Sequence, residues 1–343
     1  MTEITLNTPP YVLIVGHGRS GTNWLLDILD ASEKTHCRNE PDAVSNSQLE
    51  YVRTLWSSKD SLEEVLRQWE TRINKAKLCM SERDHHIETP KQHIYPLSHK
   101  SGIATLPTRR KIRQALRLVM PQFRQGEWQV PWWIADETKL EQACGVFKIN
   151  RLAAWFVHPL AVNYPQIPIL HIVRHPGGYL NSALKRFFVS CSTEELNKEF
   201  ELYQMIMKTA IQVYPEWQER VGDLSSMDLT ETVMWFWCLN NEMIYEENKN
   251  NPNYHLLIYE NIVANPLEQS QKVYDFCRLP WNEVVESQIK EGLTESVWGS
   301  LKSKPSAVAQ AWRKSLTVEH QSLVSKILST SRIEFLWSDS ADI

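Results

Sequence analysis

Residues 11–24 read Tyr-Val-Leu-Ile-Val-Gly-His-Gly-Arg-Ser-Gly-Thr-Asn-Trp, and more about the fold can be inferred from this stretch than from any other. The aliphatic run at 11–15 predicts a short buried strand, and apolar residues at helical spacing begin at Trp24, with a glycine-containing loop between them. A strand, a loop and a helix in this order are typical of a phosphate cradle, because backbone N–H groups of the loop and of the helix N-terminus point at an anion.

The loop differs from the loop that binds nucleoside triphosphates. Gly16 and Gly21 have the outer spacing of G-x-x-x-x-G-K-[ST]. However, Thr22 stands where that loop has its lysine, and Asn23 stands where it has the magnesium-binding hydroxyl. The cation within the loop is Arg19. The pattern therefore predicts a phosphate ligand that is handled without magnesium-assisted transfer of a γ-phosphoryl group.

Length, composition and net charge limit the classes of protein to which this chain can belong. With 343 residues, 42% of them hydrophobic, the chain is long enough for one large α/β domain or two smaller ones. The formal net charge of −4 provides no general attraction for nucleic acid or an anionic membrane, so an anion site must be built locally. No signal peptide and no membrane-length apolar run are recognisable, and we expect a cytoplasmic protein that binds neither nucleic acid nor membrane.

Strand and helix patterns alternate along the chain, which predicts a central parallel sheet of about five strands flanked by helices. No linker is evident, so residues 1–343 are interpreted as a single domain. The tryptophan-rich stretch from about 49 to 142 is interpreted as a helical insertion that covers the ligand face of the domain. The predicted strands are 12–15, about 35–38, 146–149, 169–173 and 255–258, and helical stretches include 62–69, 112–119, 195–214 and 234–247.

A second anion site is predicted where the strand at 169–173 ends. Arg174 follows the strand, and Pro176 is at a favoured position for starting a helix. Ser182 lies eight residues after Arg174, about a turn and a half into that helix. Both side chains can therefore converge on an anion near the helix start. The alternative is a surface arginine and an unrelated serine.

These two segments resemble the PAPS-dependent sulfotransferases, where PAPS is 3′-phosphoadenosine 5′-phosphosulfate. The string Arg-Ser-Gly-Thr-Asn-Trp at 19–24 is similar to the family's 5′-phosphosulfate loop, [KR]-S-G-T-[TN]-W. The Arg174/Ser182 spacing is similar to the element that holds the 3′-phosphate in the family. The resemblance implies a P-loop-like sulfotransferase fold. It also implies transfer of a sulfuryl group from PAPS to a hydroxyl or amine of a small-molecule or carbohydrate acceptor. The product left from the donor would be PAP (3′-phosphoadenosine 5′-phosphate), and no metal would take part.

The resemblance extends to two further segments. Tyr259, in Leu-Leu-Ile-Tyr-Glu-Asn followed by Asn-Pro, matches a family strand end, and Tyr259 is expected to flank the nucleotide. Near the C-terminus, Lys304 or a neighbour in 302–306 is expected to close over the 3′-phosphate, unless this segment is a solvated loop. The nucleotide-binding residues that the resemblance implies are Arg19, Ser20, Gly21, Thr22, Asn23, Trp24, Arg174, Ser182, Tyr259 and Lys304.

Two residues are predicted to act in the chemistry. Arg19 would stabilise the charge that grows on the leaving phosphate oxygen. Animal members place a histidine base in K-[TC]-H, but this chain has Asn150 there, in Lys-Ile-Asn at 148–150. Glu40, which follows the second predicted strand, is therefore the predicted base, as in a second group of the family. Its alternative role is that of a turn-start carboxylate, and His85 or His86 would then be the base. Lys148 either reaches the sulfate or is a strand-end lysine with its amine in water.

Two rival functions remain open at this stage. A P-loop nucleotide kinase or NTPase would prefer ATP with magnesium, and the missing Gly-Lys-[Ser/Thr] argues against it. A catalytically inactive, sulfotransferase-like nucleotide-binding protein would keep the affinity for PAP and show no transfer. The absent histidine at position 150 supports that second rival.

Overall fold

The computed structural model describes residues 9–40, 61–81, 127–129, 137–150, 152–294 and 309–337. The strands in these ranges are β1 (Tyr11–Gly16), β2 (Thr35–Asn39), β3 (Cys79–Ser81), β4 (Glu127–Gln129), β5 (Cys144–Asn150), β6 (Ile169–Val173) and β7 (Tyr254–Ile258). The α-helices are α1 (Thr22–Asp30), α2 (Leu62–Leu78), α3 (Glu137–Gln142), α4 (Ala154–Asn163), α5 (Pro176–Ser190), α6 (Thr193–Val213), α7 (Trp217–Val221), α8 (Leu229–Asn248), α9 (Tyr259–Ala264), α10 (Pro266–Phe276), α11 (Glu283–Thr294), α12 (Trp312–Ser315) and α13 (Val318–Leu328).

The main sheet has five strands in the order β2-β5-β1-β6-β7. Every neighbouring pair in it is parallel. The predicted α/β fold with a five-stranded parallel sheet is therefore confirmed. Each predicted strand is present, the one at 169–173 with the predicted bounds and the other four with slightly wider bounds. Because the strands are parallel, their carboxyl ends all lie at one edge of the sheet, and the loops that follow them meet there.

The alternation of side chains along each strand builds a core on both faces of the sheet. Leu13 and Val15 of β1 belong to one apolar cluster, whereas Val12 and Ile14 belong to the other. The first cluster is covered by α2, α4, α5, α6, α8 and α13, and the second by α1, α10 and α11. Strands that are apolar on both faces are the pattern expected of a parallel sheet between two helical layers.

Helix α5 begins where the sequence predicts, at Pro176 directly after β6. The ring of His175 caps it, because its Nδ1 accepts a hydrogen bond from the N–H of Gly177 at 3.0 Å. Proline is favoured at this position because the first turn of a helix leaves its N–H groups without intrahelical partners. This start places Ser182 on the second turn of α5, close to the end of β6.

The segment at 309–337 is fastened to α8 by a buried carboxylate. Glu242 receives two hydrogen bonds from Arg220, at 2.7 and 3.0 Å, and one each from the Ser331 hydroxyl and the Arg332 N–H, both at 2.9 Å. A carboxylate that is only 1% exposed needs this number of donors, since an unpaired buried charge is strongly destabilising. The network holds the C-terminal segment against the helices that border the site.

The stretch from about 49 to 142 is more varied than the helical insertion that the sequence predicts. Helices α2 and α3 lie in it, but β3 and β4 form a short antiparallel ribbon in which Met80 is opposite Trp128. Three residues per strand are too few for a periodicity signal, so this ribbon could not be read from the sequence. The predicted helix at 112–119 lies outside the described residues, and the single-domain assignment stays a prediction.

Among the helices of the described ranges, none has both the length and the apolar character that crossing a membrane would require.

Candidate functional site

The loop after β1 lies at the carboxyl edge of the sheet, beside the ends of β6 and β7. It makes a tight turn, because the N–H of Ser20 donates to the carbonyl of His17 at 3.1 Å. Arg19 and Gly21 both have positive φ angles, of 78° and 94°. The sequence predicts that the N–H groups of the loop and of the helix N-terminus point at an anion, but the Ser20 N–H is already hydrogen-bonded within the turn.

Helix α1 starts directly after this turn without a side-chain cap at Gly21. The N–H groups at the start of a helix have no intrahelical partners, so an uncapped start is suited to an anion. The hydroxyl of Ser20 is fully buried and has no hydrogen-bond partner among the described residues. Thr22 is buried, so it offers a ligand its backbone rather than its side chain, whereas Trp24 is partly buried against the core cluster beneath α1.

Glycine is required at position 21 by the close approach of the Tyr259 ring as well as by its positive φ angle. A Cβ atom at this position would lie 2.4 Å from Cδ2 of Tyr259, at the start of α9, which is closer than real Cβ contacts come. Tyr259 is therefore packed directly on the loop, at the position where the resemblance expects a residue flanking the nucleotide.

Replacing Gly21 with Ala should lower the free energy of unfolding by about 1–3 kcal/mol for the backbone conformation and by more for the displaced Tyr259 ring. The matched control is Gly222→Ala, because Gly222 also has a positive φ, of 78°, but has no atom within 4 Å of the added Cβ. Urea unfolding of both variants measures the difference. Equal losses would show that the Tyr259 ring can move aside without cost.

Arg19, Arg174 and Ser182 are brought together although they are far apart in the sequence. The Arg19 Nε donates to the Ser182 hydroxyl at 2.9 Å. The Arg174 Nη1 donates to the Arg19 carbonyl at 3.2 Å. Arg19 thus lies between the two halves of the second predicted anion site, and the loop after β1 and the start of α5 form one continuous surface.

Positive charge is concentrated at this surface. The pKa of Arg19 is lowered, first by partial desolvation and then by the charges of Arg186 and Arg174. Arg174 also lies over the ring of Tyr259, with its guanidinium carbon 4.6 Å from the ring centroid. Gly178 leaves room for it, since a Cβ there would be 2.7 Å from the Arg174 Nε. Clustered arginines repel one another, so the site gains stability from a bound anion.

A layer of aromatic and polar side chains surrounds His175, the residue that follows Arg174. The carboxylate of Glu260 accepts from the His175 N–H at 3.1 Å and from the Trp337 Nε1 at 3.2 Å. The His175 ring stacks on Trp312, with centroids 4.6 Å apart. Burial, followed by the charges of Arg313 and Arg174, lowers the pKa of His175 to about 4, so its ring is neutral at pH 7. The sequence indicated neither His175 nor this stacking.

Glu40 lies at the same edge of the sheet, beyond the end of β2, in a cluster of polar side chains. Its N–H donates to the Lys148 carbonyl at 2.8 Å, and its φ of 52° turns the chain away from the strand direction. The Lys148 ammonium is 3.2 Å from Glu40 Oε1, and the Asn150 amide donates to that same oxygen. Lys148 also donates to the Asn23 side-chain oxygen at the start of α1.

The side chain of Lys148 is only 3% exposed, so the alternative of a strand-end lysine with its amine in water is wrong. A buried ammonium needs a counter-charge, which Glu40 provides. Lys148 and Asn150 as partners of Glu40 were not identified from the sequence. One signal was available, because residues two apart on a strand face the same side of the sheet.

Several predicted residues fall outside the described ranges, among them Lys304 with its neighbours in 302–306, and both His85 and His86. Within the described ranges, no group of three or more His, Cys, Asp or Glu side chains is arranged to hold a metal ion.

Comparison with known proteins identifies the family. The model of the sulfotransferase family matches residues 10–283, which is most of the chain. No curated protein matches it. Similar solved structures include the sulfotransferase domain from the Synechococcus olefin synthase, with 14% identity, 93% of this chain and 94% of that chain covered, and a TM-score of 0.41. Others are the sulfotransferase domain from the curacin biosynthetic pathway (12% identity, 93% and 97% covered, TM-score 0.43) and a sulfotransferase from Mycobacterium avium (13%, 95% and 77%, 0.40). On the family match over residues 10–283, this chain belongs to the sulfotransferase family.

Proposed function

We propose that this protein transfers the sulfuryl group of PAPS to a hydroxyl or amine of a small-molecule or carbohydrate acceptor, releasing PAP. The observation that carries the proposal is the pair of hydrogen bonds at Arg19, which join the loop after β1 to Ser182 and Arg174. PAPS has phosphate groups at both its 5′ and 3′ positions, so it requires two anion sites within one nucleotide's length. The Arg19 contacts bring the residues proposed for the two anion sites next to each other, which supports the proposal.

The residues present fit such a donor. The uncapped start of α1 and the buried Ser20 hydroxyl offer donors to the 5′-phosphosulfate. Arg174 and Ser182 offer a cation and a hydroxyl to the 3′-phosphate. Tyr259, held on Gly21, would lie beside the nucleotide. Lys304 is proposed as a further contact on the basis of the resemblance alone.

Bound PAPS supplies an activated sulfuryl group, and transfer leaves negative charge on the 5′-phosphate. Arg19 is proposed to stabilise that charge, because a guanidinium stays protonated and its position beside the loop is set in advance by Ser182. Since arginine is a poor proton donor, its assistance is electrostatic rather than acid catalysis.

Glu40 is proposed as the base that accepts the proton from the acceptor. Its carboxylate is 13% exposed and is oriented by Lys148 and Asn150, which both contact Oε1. The fixed orientation of this carboxylate, at the same edge of the sheet as the loop after β1, supports the assignment, because a base must be positioned before it can accept a proton. The acceptor would approach from the side of Glu40. Cytoplasmic location, expected from the sequence, is retained as a prediction.

The first test is thermal unfolding of the purified chain with PAP, with ADP, with ATP and magnesium, and without ligand. A ligand that binds only the native state raises the unfolding temperature. We expect a large shift with PAP and a small one with ADP. A larger shift with ATP and magnesium would favour a kinase or NTPase. A PAP shift without transfer to any acceptor would favour an inactive binding protein.

Arg174→Ala should weaken PAP binding by about 10- to 100-fold, since a hydrogen bond to a charged group contributes about 1.5–3 kcal/mol. Adenosine 5′-phosphate, which lacks the 3′-phosphate, is the matched ligand and should lose far less affinity. Isothermal titration calorimetry with both nucleotides measures the two losses. Equal losses would contradict the assignment of Arg174 to the 3′-phosphate.

A further inference from the structure

Lys148 lies between the two functional parts of the proposed site. Its ammonium is 3.2 Å from the Glu40 carboxylate on one side and donates to the Asn23 side chain on the other. Asn23 is the second residue of α1, so this contact is made in the helical turn whose N–H groups face the anion position. One buried cation therefore contacts both the proposed base and the first turn of the helix that is proposed to hold the donor's anion.

Asn150 also connects Glu40 with the loop after β1, through a neutral side chain. Its amide donates to Glu40 Oε1, and it also lies against the loop after β1. An added Cβ on Gly18 would be 3.4 Å from the Asn150 Nδ2, which is ordinary contact distance. The orientation of Glu40 is thus tied to the loop by two residues of one strand, β5.

We propose that Lys148 couples donor binding to the basicity of Glu40, acting as a positioning residue whose charge the carboxylate and the donor's 5′ group share. This inference rests on the proposed function. Without donor, Glu40 provides the counter-charge of Lys148 and is held in an ion pair. When the donor's anion binds beside Asn23, it takes a share of the ammonium's charge. The carboxylate is then less stabilised as an anion and accepts a proton more readily.

Coupling of this kind is reciprocal. If donor binding draws Lys148 away from Glu40, then removing the charge of Glu40 must strengthen donor binding. Glu40→Gln keeps an oxygen that accepts from Lys148 and Asn150 but removes the competing anion. A base too far from the donor for either Lys148 or direct charge repulsion to act would have no such effect, and a double variant that lacks both charges separates these two causes.

The experiment measures the dissociation constant of PAP by isothermal titration calorimetry on the 343-residue chain. Glu40→Gln is expected to bind PAP about 5-fold more tightly than the unsubstituted protein, or better. The double variant Lys148→Met/Glu40→Gln removes both charges of the pair and leaves neither one buried alone. Its affinity should return to within about twofold of the unsubstituted protein.

The control for the loss of one negative charge is Glu268→Gln, because Glu268 is exposed and pairs with Lys272 on α10. It should leave the affinity for PAP unchanged. Thermal unfolding without ligand verifies that each variant is folded.

Unchanged or weaker binding by Glu40→Gln would overturn the coupling and leave the proposed function standing. If the double variant bound as tightly as Glu40→Gln, direct repulsion by Glu40 would explain the gain, and the role of Lys148 would be refuted. If the unsubstituted protein had no affinity for PAP, the proposed function would fail, and this inference with it.

Discussion

Replacing Glu40 with Gln is expected to lower turnover by about 10²- to 10⁴-fold, because a positioned base contributes about that factor to a proton-transfer step. The amide keeps the shape of the carboxylate and its hydrogen-bond acceptor, so the contacts with Lys148 and Asn150 persist in weaker form. Steady-state transfer from PAPS to an acceptor found by screening measures the loss.

The affinity of the Glu40→Gln variant for PAP separates a catalytic effect from a folding effect. We expect PAP to raise the unfolding temperature of this variant at least as much as that of the unsubstituted protein. Glu268→Gln, an exposed change of the same chemistry, should retain full turnover. If Glu40→Gln also retained it, the base would have to be sought elsewhere, with His85 and His86 as the next residues to replace.

Replacing Arg19 with Ala should reduce turnover by about 10²- to 10³-fold, which is the usual effect of removing one donor aimed at developing charge. Stability should change little. The Arg19 side chain is exposed, and the Ser182 contact that it makes is a surface hydrogen bond. The Arg174 contact uses the carbonyl of residue 19 and is kept in the variant.

Arg19→Lys tests whether charge is the property that matters. Lysine keeps the positive charge and loses the planar fork, so it should recover a large part of the activity that Ala loses if the role is electrostatic. A turnover of Arg19→Ala close to that of the unsubstituted protein would remove Arg19 from the mechanism. A large drop in its unfolding temperature would instead indicate a structural role.

The parallel sheet could be predicted because each strand has a strong local signal. Val12–Val15 is apolar at every position, and the structure buries alternate members of it in opposite cores. Burial of such a run is favourable, and its alternation with helical stretches along the chain predicts a parallel sheet between two layers of helices. The loop at 16–21 follows from its glycines in the same local way, and the start of α5 follows from Pro176.

Residue pairing at the site could not be predicted in the same way. Glu40 and Asn150 are 110 positions apart, and Lys148 and Asn23 are 125 apart. Their contacts arise because β2, β5 and β1 are neighbours in the sheet, an order that no local pattern specifies. The sequence alone left Lys148 open as a solvated strand-end lysine, whereas its burial between two chain segments makes it an ion-pair partner.

What the amino-acid sequence established here is therefore the set of elements and the chemical types of the anion-binding residues, since both depend on short-range periodicity and on spacing within one loop or helix. Which residues contact which was established by the order of strands in the sheet. That order brings the loop after β1 against Arg174, and Glu40 against Lys148. It arises from packing of the whole chain, where each contact depends on elements far away in sequence.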